Sequence, residues 1–273
     1  MESRRDAVAD TGLLVAAIRA RESTRVDRLF TDPFADKLAG EAGHRILDAA
    51  LSASGDRTTM QIVVRTRFWD GALRQAVSTC RQVVLVAAGM DARAYRLDWP
   101  TGTTVFELDQ PPVIAAKNAL LADETPQCTR VPIGVDLADE WPAALTAAGF
   151  DPSAPSVWLT EGLLQYLDAA AVHRLFERID ALSAPGSVLC YDVVGKSLLE
   201  APFMAELLKS MAENGAPWLF GTDDPAELVR DHGWTAEVTD IAEPGNRWNR
   251  WYAPVTPDGT DAPRGYFAVA TKG

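Results

Sequence analysis

The chain has 273 residues, 47% of them apolar and 23% charged, enough to bury one sizeable α/β core, and no apolar run approaches the ~20 residues of a membrane span. Lys and Arg total 26 against 38 Asp and Glu, and the resulting net charge of −12 opposes a nucleic-acid partner. Three cysteines, Cys80, Cys128 and Cys190, without any CxxC spacing imply neither a disulfide framework nor a zinc site; with no signal-peptide core at the start, the expected compartment is a reducing cytoplasm.

Residues 10–22 place Leu13, Leu14, Ala17 and Ile18 on one helical face. Pro33 then opens a short helix to about residue 38, and a third helical pattern covers 44–51. A polar loop at 52–56 precedes a long helix over 59–77, so the region 1–79 is expected to be helical. A short continuous apolar run follows (Val83, Val84, Leu85, Val86), the pattern of a strand buried on both faces of a parallel sheet. Alternation continues with strands at 104–109, 129–135, 156–160 and 187–193, and with helices at 112–121, 141–148 and 168–182. That spacing predicts a doubly wound, mostly parallel sheet. After its fifth strand an amphipathic helix over 197–214 reads as an insertion, with a further helix at 225–231 and closing strands at 234–241 and 264–271, for seven strands in all. The expected organisation is a single domain: N-terminal helices (1–79), a ligand-binding core (80–194), a helical cap (195–233), and final strands with a substrate-side loop (234–273).

The stretch 83–109 has the outline of a nucleoside half-site. Its first strand ends in Ala87-Ala88-Gly89, where small residues let a ligand approach the backbone, and the next strand ends in Glu107 and Asp109. A carboxylate there can accept both hydroxyl protons of a ribose. The pyrophosphate-binding pattern G-x-G-x-x-G is missing, which counts against a dinucleotide but not against a nucleoside without phosphates.

Six segments together carry a resemblance: DRLFTDPFA (27–35), VRTRFWD (64–70), VVLVAAGMDARAYRL (83–97), FELDQP (106–111), VDL (135–137) and WLTEGLLQYL (158–167). In order and spacing they resemble the leucine carboxyl methyltransferase superfamily, in its bacterial branch of class I S-adenosylmethionine-dependent O-methyltransferases. The resemblance implies S-adenosyl-L-methionine as cofactor, with Arg65 holding its methionine carboxylate and Glu161 near its amino group. It implies Asp109 at the adenosine, with Glu107 competing for the ribose hydroxyls, and Asp136 and Leu137 at the adenine. Ala87 and Gly89 match the two glycines of the family's G-x-G turn. Ala87 departs from that pattern: its methyl group either crowds the cofactor or, at negative φ, costs little.

His44, His173 and His232 sit in no motif that supplies a base. Asp91, Arg93 and Arg96 read as a structural network, whereas Arg67 is open to either role. The aromatic and basic run 247–252 is divided between packing and substrate contact, which makes Trp248, Arg250 and Trp251, together with Tyr166, the candidate substrate residues. A carboxylate acceptor is ionised at neutral pH, whereas a phenol usually needs help losing its proton. The scarcity of histidine therefore leans toward carboxyl methylation of a small-molecule or peptide natural product. Hydroxyl methylation of a polyketide-type metabolite is the alternative, and a catalytically silent cofactor-binding protein is the reading from another class.

Overall fold

The computed structural model describes residues 2–251 and 265–273. Three helices come first: α1 (Glu2–Ser23), α2 (Ala35–Ser54) and α3 (Arg57–Ala76). The two helical patterns predicted at 33–38 and 44–51 are one element, α2, kinked at Gly40, whose φ of 54° lies outside helical space. Strand β1 (Gln82–Val86) leads through the short α4 (Arg93–Arg96) to β2 (Thr104–Asp109), then α5 (Pro111–Leu120), β3 (Thr129–Gly134), α6 (Trp141–Ala147) and β4 (Ser156–Thr160). Helix α5 opens on Pro111 and α6 has Pro142 as its second residue, and a missing N–H costs nothing in a first turn. After a 3-10 turn at Leu164–Tyr166, α7 (Ala169–Ala181) starts where the Asp168 carboxylate accepts the Ala171 N–H at 2.7 Å.

Strand β5 (Val188–Val194) is followed by α8 (Lys196–Leu199), a 3-10 turn at Pro202–Met204, α9 (Ala205–Glu213) and α10 (Glu227–Arg230). The single helix expected over 197–214 is thus broken, because Pro202 cannot continue α8. Helix α9 buries none of its residues. Strand β6 (Trp234–Asp240), α11 (Ala242–Arg247) and β7 (Gly265–Lys272) complete the described chain.

The seven strands form one sheet in the order β3-β2-β1-β4-β5-β7-β6, parallel except for β7, which runs antiparallel to both β5 and β6. Chain order reverses between β1 and β4, so the ligand crevice of an open α/β sheet is expected beyond the carboxyl ends of these strands. Alternation along β1 feeds both faces. Val83 and Leu85 join the core under α1, α2 and α3, while Val84 and Val86 join the one under α6, α7 and α10. On that second face Phe106, Phe150, Trp158 and Trp141 pack ring on ring at centroid separations of 5.4–6.2 Å. No helix among the described residues is long and apolar enough to cross a membrane.

Candidate functional site

A cavity of about 500 Å³ opens at the carboxyl ends of β1, β2 and β4. Its wall gathers Arg65, Ala87, Gly89, Asp109, Asp136, Leu137, Glu161 and Tyr166, residues spread over more than 100 positions of sequence.

The turn after β1 is held by backbone hydrogen bonds. Ala88 N–H donates to the Leu108 carbonyl at 3.0 Å, Asp91 N–H to the Ala88 carbonyl at 2.8 Å, and Gly89 N–H to Asp109 Oδ2 at 2.6 Å. Under these bonds both Ala87 (φ 55°) and Gly89 (φ 46°) are left-handed. The alternative in which a negative φ absorbs the Ala87 methyl is therefore corrected: the alanine occupies backbone space that favours glycine, and the substitution is carried as strain. At Gly89 the position a Cβ would take is open, with no atom within 4 Å, so the backbone there is bare to the cavity.

Asp109 ends β2 with its side chain on the cavity. Its Oδ1 accepts the Gln110 N–H at 2.7 Å, and its Oδ2 the Gly89 N–H. Burial pushes its carboxyl above the usual range, against the pull of these two amides. Each oxygen keeps a lone pair for a ligand hydroxyl. Glu107 does not share this position. It lies opposite Leu85 and Pro132 in mid-strand, fully buried, and its Oε2 takes Arg130 at 2.6 and 2.9 Å and Lys117 at 3.0 Å. The expected competition between Glu107 and Asp109 for a ribose is corrected accordingly. Two residues of strand are enough to take an acid from the crevice to the interior.

A network of arginines and acids closes the other end. Arg65, on α3, donates through Nε to Glu161 Oε1 at 2.9 Å and lies 3.5 Å from Asp192 through Nη1. Arg93 takes the second Glu161 oxygen at 2.6 Å, Asp70 at 2.8 Å, and also Asp91. Arg96 doubles on Asp70 at 2.6 and 2.7 Å, and Arg19 of α1 pairs with Asp32 at 2.9 Å. Burial opposes the charge of Arg93, but Asp91, Glu161 and Asp70 outweigh it and hold the guanidinium well above its ordinary value. Asp70 is taken by α4 and not by its own helix, so it does not partner Arg65 or Arg67. Arg67 lies over the Trp248 ring at 5.5 Å.

At the far side Asp136 caps its own turn by accepting the Ala138 N–H at 2.9 Å, and Leu137 lines the wall beside it. Of the expected substrate residues only Tyr166 lies on the cavity. Arg250 is buried against Glu22 (3.2 Å) and the Asp27 carbonyl (2.7 Å), Trp248 takes the Arg67 cation, and Trp251 packs on Gly245, so these three are corrected to packing roles. Tyr252, the last residue of that run, lies outside the described residues. Several wall residues were missed in the sequence: Thr11, Val15 and Arg19 on one stripe of α1, and Arg174 and Arg178 on α7. The i, i+4, i+8 spacing of the α1 residues is a signal only once the helix is known to cross the cavity. Asp192, behind Arg65, has no motif around it.

The leucine carboxyl methyltransferase family model matches residues 12–180. A Rhodococcus jostii protein named as an S-adenosyl-L-methionine-dependent methyltransferase is 46% identical over 240 residues, 82% of each chain. A Mycobacteroides abscessus protein of the same description is 37% identical, covering 97% of this chain and 95% of its own. A Thermobifida fusca crystal structure named as a methyltransferase superposes with a TM-score of 0.63 at 19% identity, over 92% of this chain and 96% of that one, a likeness of fold.

Proposed function

This chain belongs to the leucine carboxyl methyltransferase family and is an S-adenosyl-L-methionine-dependent methyltransferase, and on that premise we propose that it methylates an oxygen, the carboxylate of a small-molecule or peptide natural product. When bound, the cofactor supplies an electrophilic methyl group on a sulfonium. The bare backbone at Gly89 and the remaining lone pairs of Asp109 fit a ribose, and the Arg65 fork fits the methionine carboxylate. Glu161 faces the amino group, while Asp136 and Leu137 take the adenine. Ala87 closes the turn, and Tyr166 stands on the acceptor side with Val15 and Leu219.

One observation carries the choice of acceptor: among the described residues no histidine lies on the cavity wall, Asp91 and Glu161 are paired with arginines, and Asp109, Asp136 and Asp168 each accept a backbone N–H of their own turn or helix start. A wall without a ready base suits a nucleophile that arrives ionised, as a carboxylate does at neutral pH. The protein's part is then to align that oxygen behind the methyl group and to exclude water. The test is incubation with cofactor labelled in the methyl group and a panel of natural-product acids and their hydroxylated counterparts. An alkali-labile methyl product is expected; an alkali-stable ether overturns the reading in favour of a hydroxyl acceptor.

A further inference from the structure

We propose that Asp192 is the positioning residue of the cofactor site, turning the Arg65 guanidinium so that one edge is presented to the methionine carboxylate. The proposal rests on the role given to Arg65 above. Asp192 lies near the end of β5 with 13% of its side chain exposed, and it is not on the cavity wall. Its two oxygens do different work. Oδ1 accepts the Gly162 N–H at 2.8 Å, and Oδ2 stands 3.5 Å from Arg65 Nη1.

Gly162 is the residue after Glu161, and at φ +66° its backbone comes so close to Arg65 that a Cβ there would lie 2.9 Å from Nη1. The guanidinium is thereby bounded on three sides: Glu161 on Nε, Asp192 on Nη1, and the Gly162 backbone against its plane of approach. Arg65 itself lines the cavity, and among the described residues no hydrogen bond takes its Nη2. A planar guanidinium hydrogen-bonded through Nε and ion-paired at Nη1 has its plane set, so its remaining N–H groups are offered in one direction, which is the preorganisation a carboxylate needs.

The ion pairing points the same way. Glu161 is shared with Arg93, but Arg65 is the cation that Asp192 faces. Burial pushes the Asp192 carboxyl up, and Arg65 opposes that push. A largely buried acid near the end of a central strand costs stability unless it is paired. The Gly162 N–H and the Trp69 side chain also act on this carboxylate, but Arg65 is the charge it balances.

The test compares two ligands that share the adenosine and differ in the amino-acid tail: S-adenosylhomocysteine, which carries the carboxylate, and 5′-methylthioadenosine, which does not. In Asp192→Asn the amide oxygen still accepts the Gly162 N–H, while the negative charge facing Arg65 is lost. Calorimetric titration should show S-adenosylhomocysteine weakened about tenfold, the scale of one charge-assisted contact, with methylthioadenosine within about twofold of the wild type. Equal weakening of both ligands, or of neither, overturns the proposal. Should Asp192→Asn fail to fold, Asp192→Glu, which displaces the carboxylate by one methylene, is read by the same ratio. Arg65→Lys separates the two layers of the argument. If it leaves the ratio of affinities unchanged, the carboxylate role of Arg65 fails and Asp192 with it. If it changes the ratio and Asp192→Asn does not, the positioning role alone fails.

Discussion

Ala87→Gly should make this protein more stable. Ala87 holds φ at 55° because three hydrogen bonds fix the turn around it: Ala88 N–H to Leu108 O, Asp91 N–H to Ala88 O, and Gly89 N–H to Asp109. A left-handed residue with a Cβ costs about 1–2 kcal/mol, which glycine removes. Glycine also loses about 0.4–1 kcal/mol through its larger unfolded-state freedom. The difference is a gain of about 0.5–1 kcal/mol, or roughly 1–3 °C in Tm for a chain of this size. Scanning calorimetry reads it directly. Because Ala87 lies on the cavity wall, titration with S-adenosylhomocysteine should show affinity equal to the wild type or higher. A Tm lowered by about 2 °C or more would mean that the residue sits at negative φ and that the turn is built differently, and a large loss of affinity would refute its place in the cofactor site.

Asp109→Ala should weaken S-adenosylhomocysteine by the ~1–3 kcal/mol of hydrogen bonds to a charged group, roughly 5- to 150-fold, and unchanged affinity would sink its ribose role. Asp91 is expected to contribute to acid stability. Burial alone would raise its carboxyl, but Arg93 and the cations beyond it hold it at about 2 against an ordinary 3.8. A depressed acid stabilises the fold above its unfolded pKa and loses that stabilisation as the pH falls through the folded value, so about 2 kcal/mol should disappear between pH 4 and 2. Denaturant midpoints measured across that window should fall more steeply for the wild type than for Asp91→Asn; parallel curves would remove Asp91 from the account.

Much of the fold could be read from the sequence because local pattern and tertiary role coincide there. Val83 to Val86 is apolar without interruption since β1 is covered on both faces, and the Asp168 cap and the prolines in the first turns of α5 and α6 are local signals of helix starts. Pattern failed where one residue overrides periodicity. Leu198 to Met211 keeps helical spacing across Pro202, and spacing cannot show that the proline ends one helix before the next begins. At Gly40 the reverse happened, and two patterns proved to be one kinked element.

The site divides along a similar line. Residues at strand ends could be located from sequence, since the carboxyl edge of a parallel sheet is where ligands bind, and Asp109 and Glu161 are both there. Side-chain partnership could not. Glu107 and Asp109 share a face of β2, yet Arg130 and Lys117 reach only the first, from a neighbouring strand and from the helix that follows. Arg250 and Trp251 look like a binding run in sequence because cations and aromatics also serve packing, and which role they take depends on Glu22 lying 228 residues away. Asp192 is the extreme case. Nothing adjacent in the chain marks it, and its meaning comes from Arg65 and Gly162, which approach it from α3 and from the turn after β4. A functional residue that acts through other residues is defined by contacts alone, and contacts between distant segments are what a single sequence does not record. The residues most exposed to error in a sequence reading are therefore the ones behind the ligand contacts.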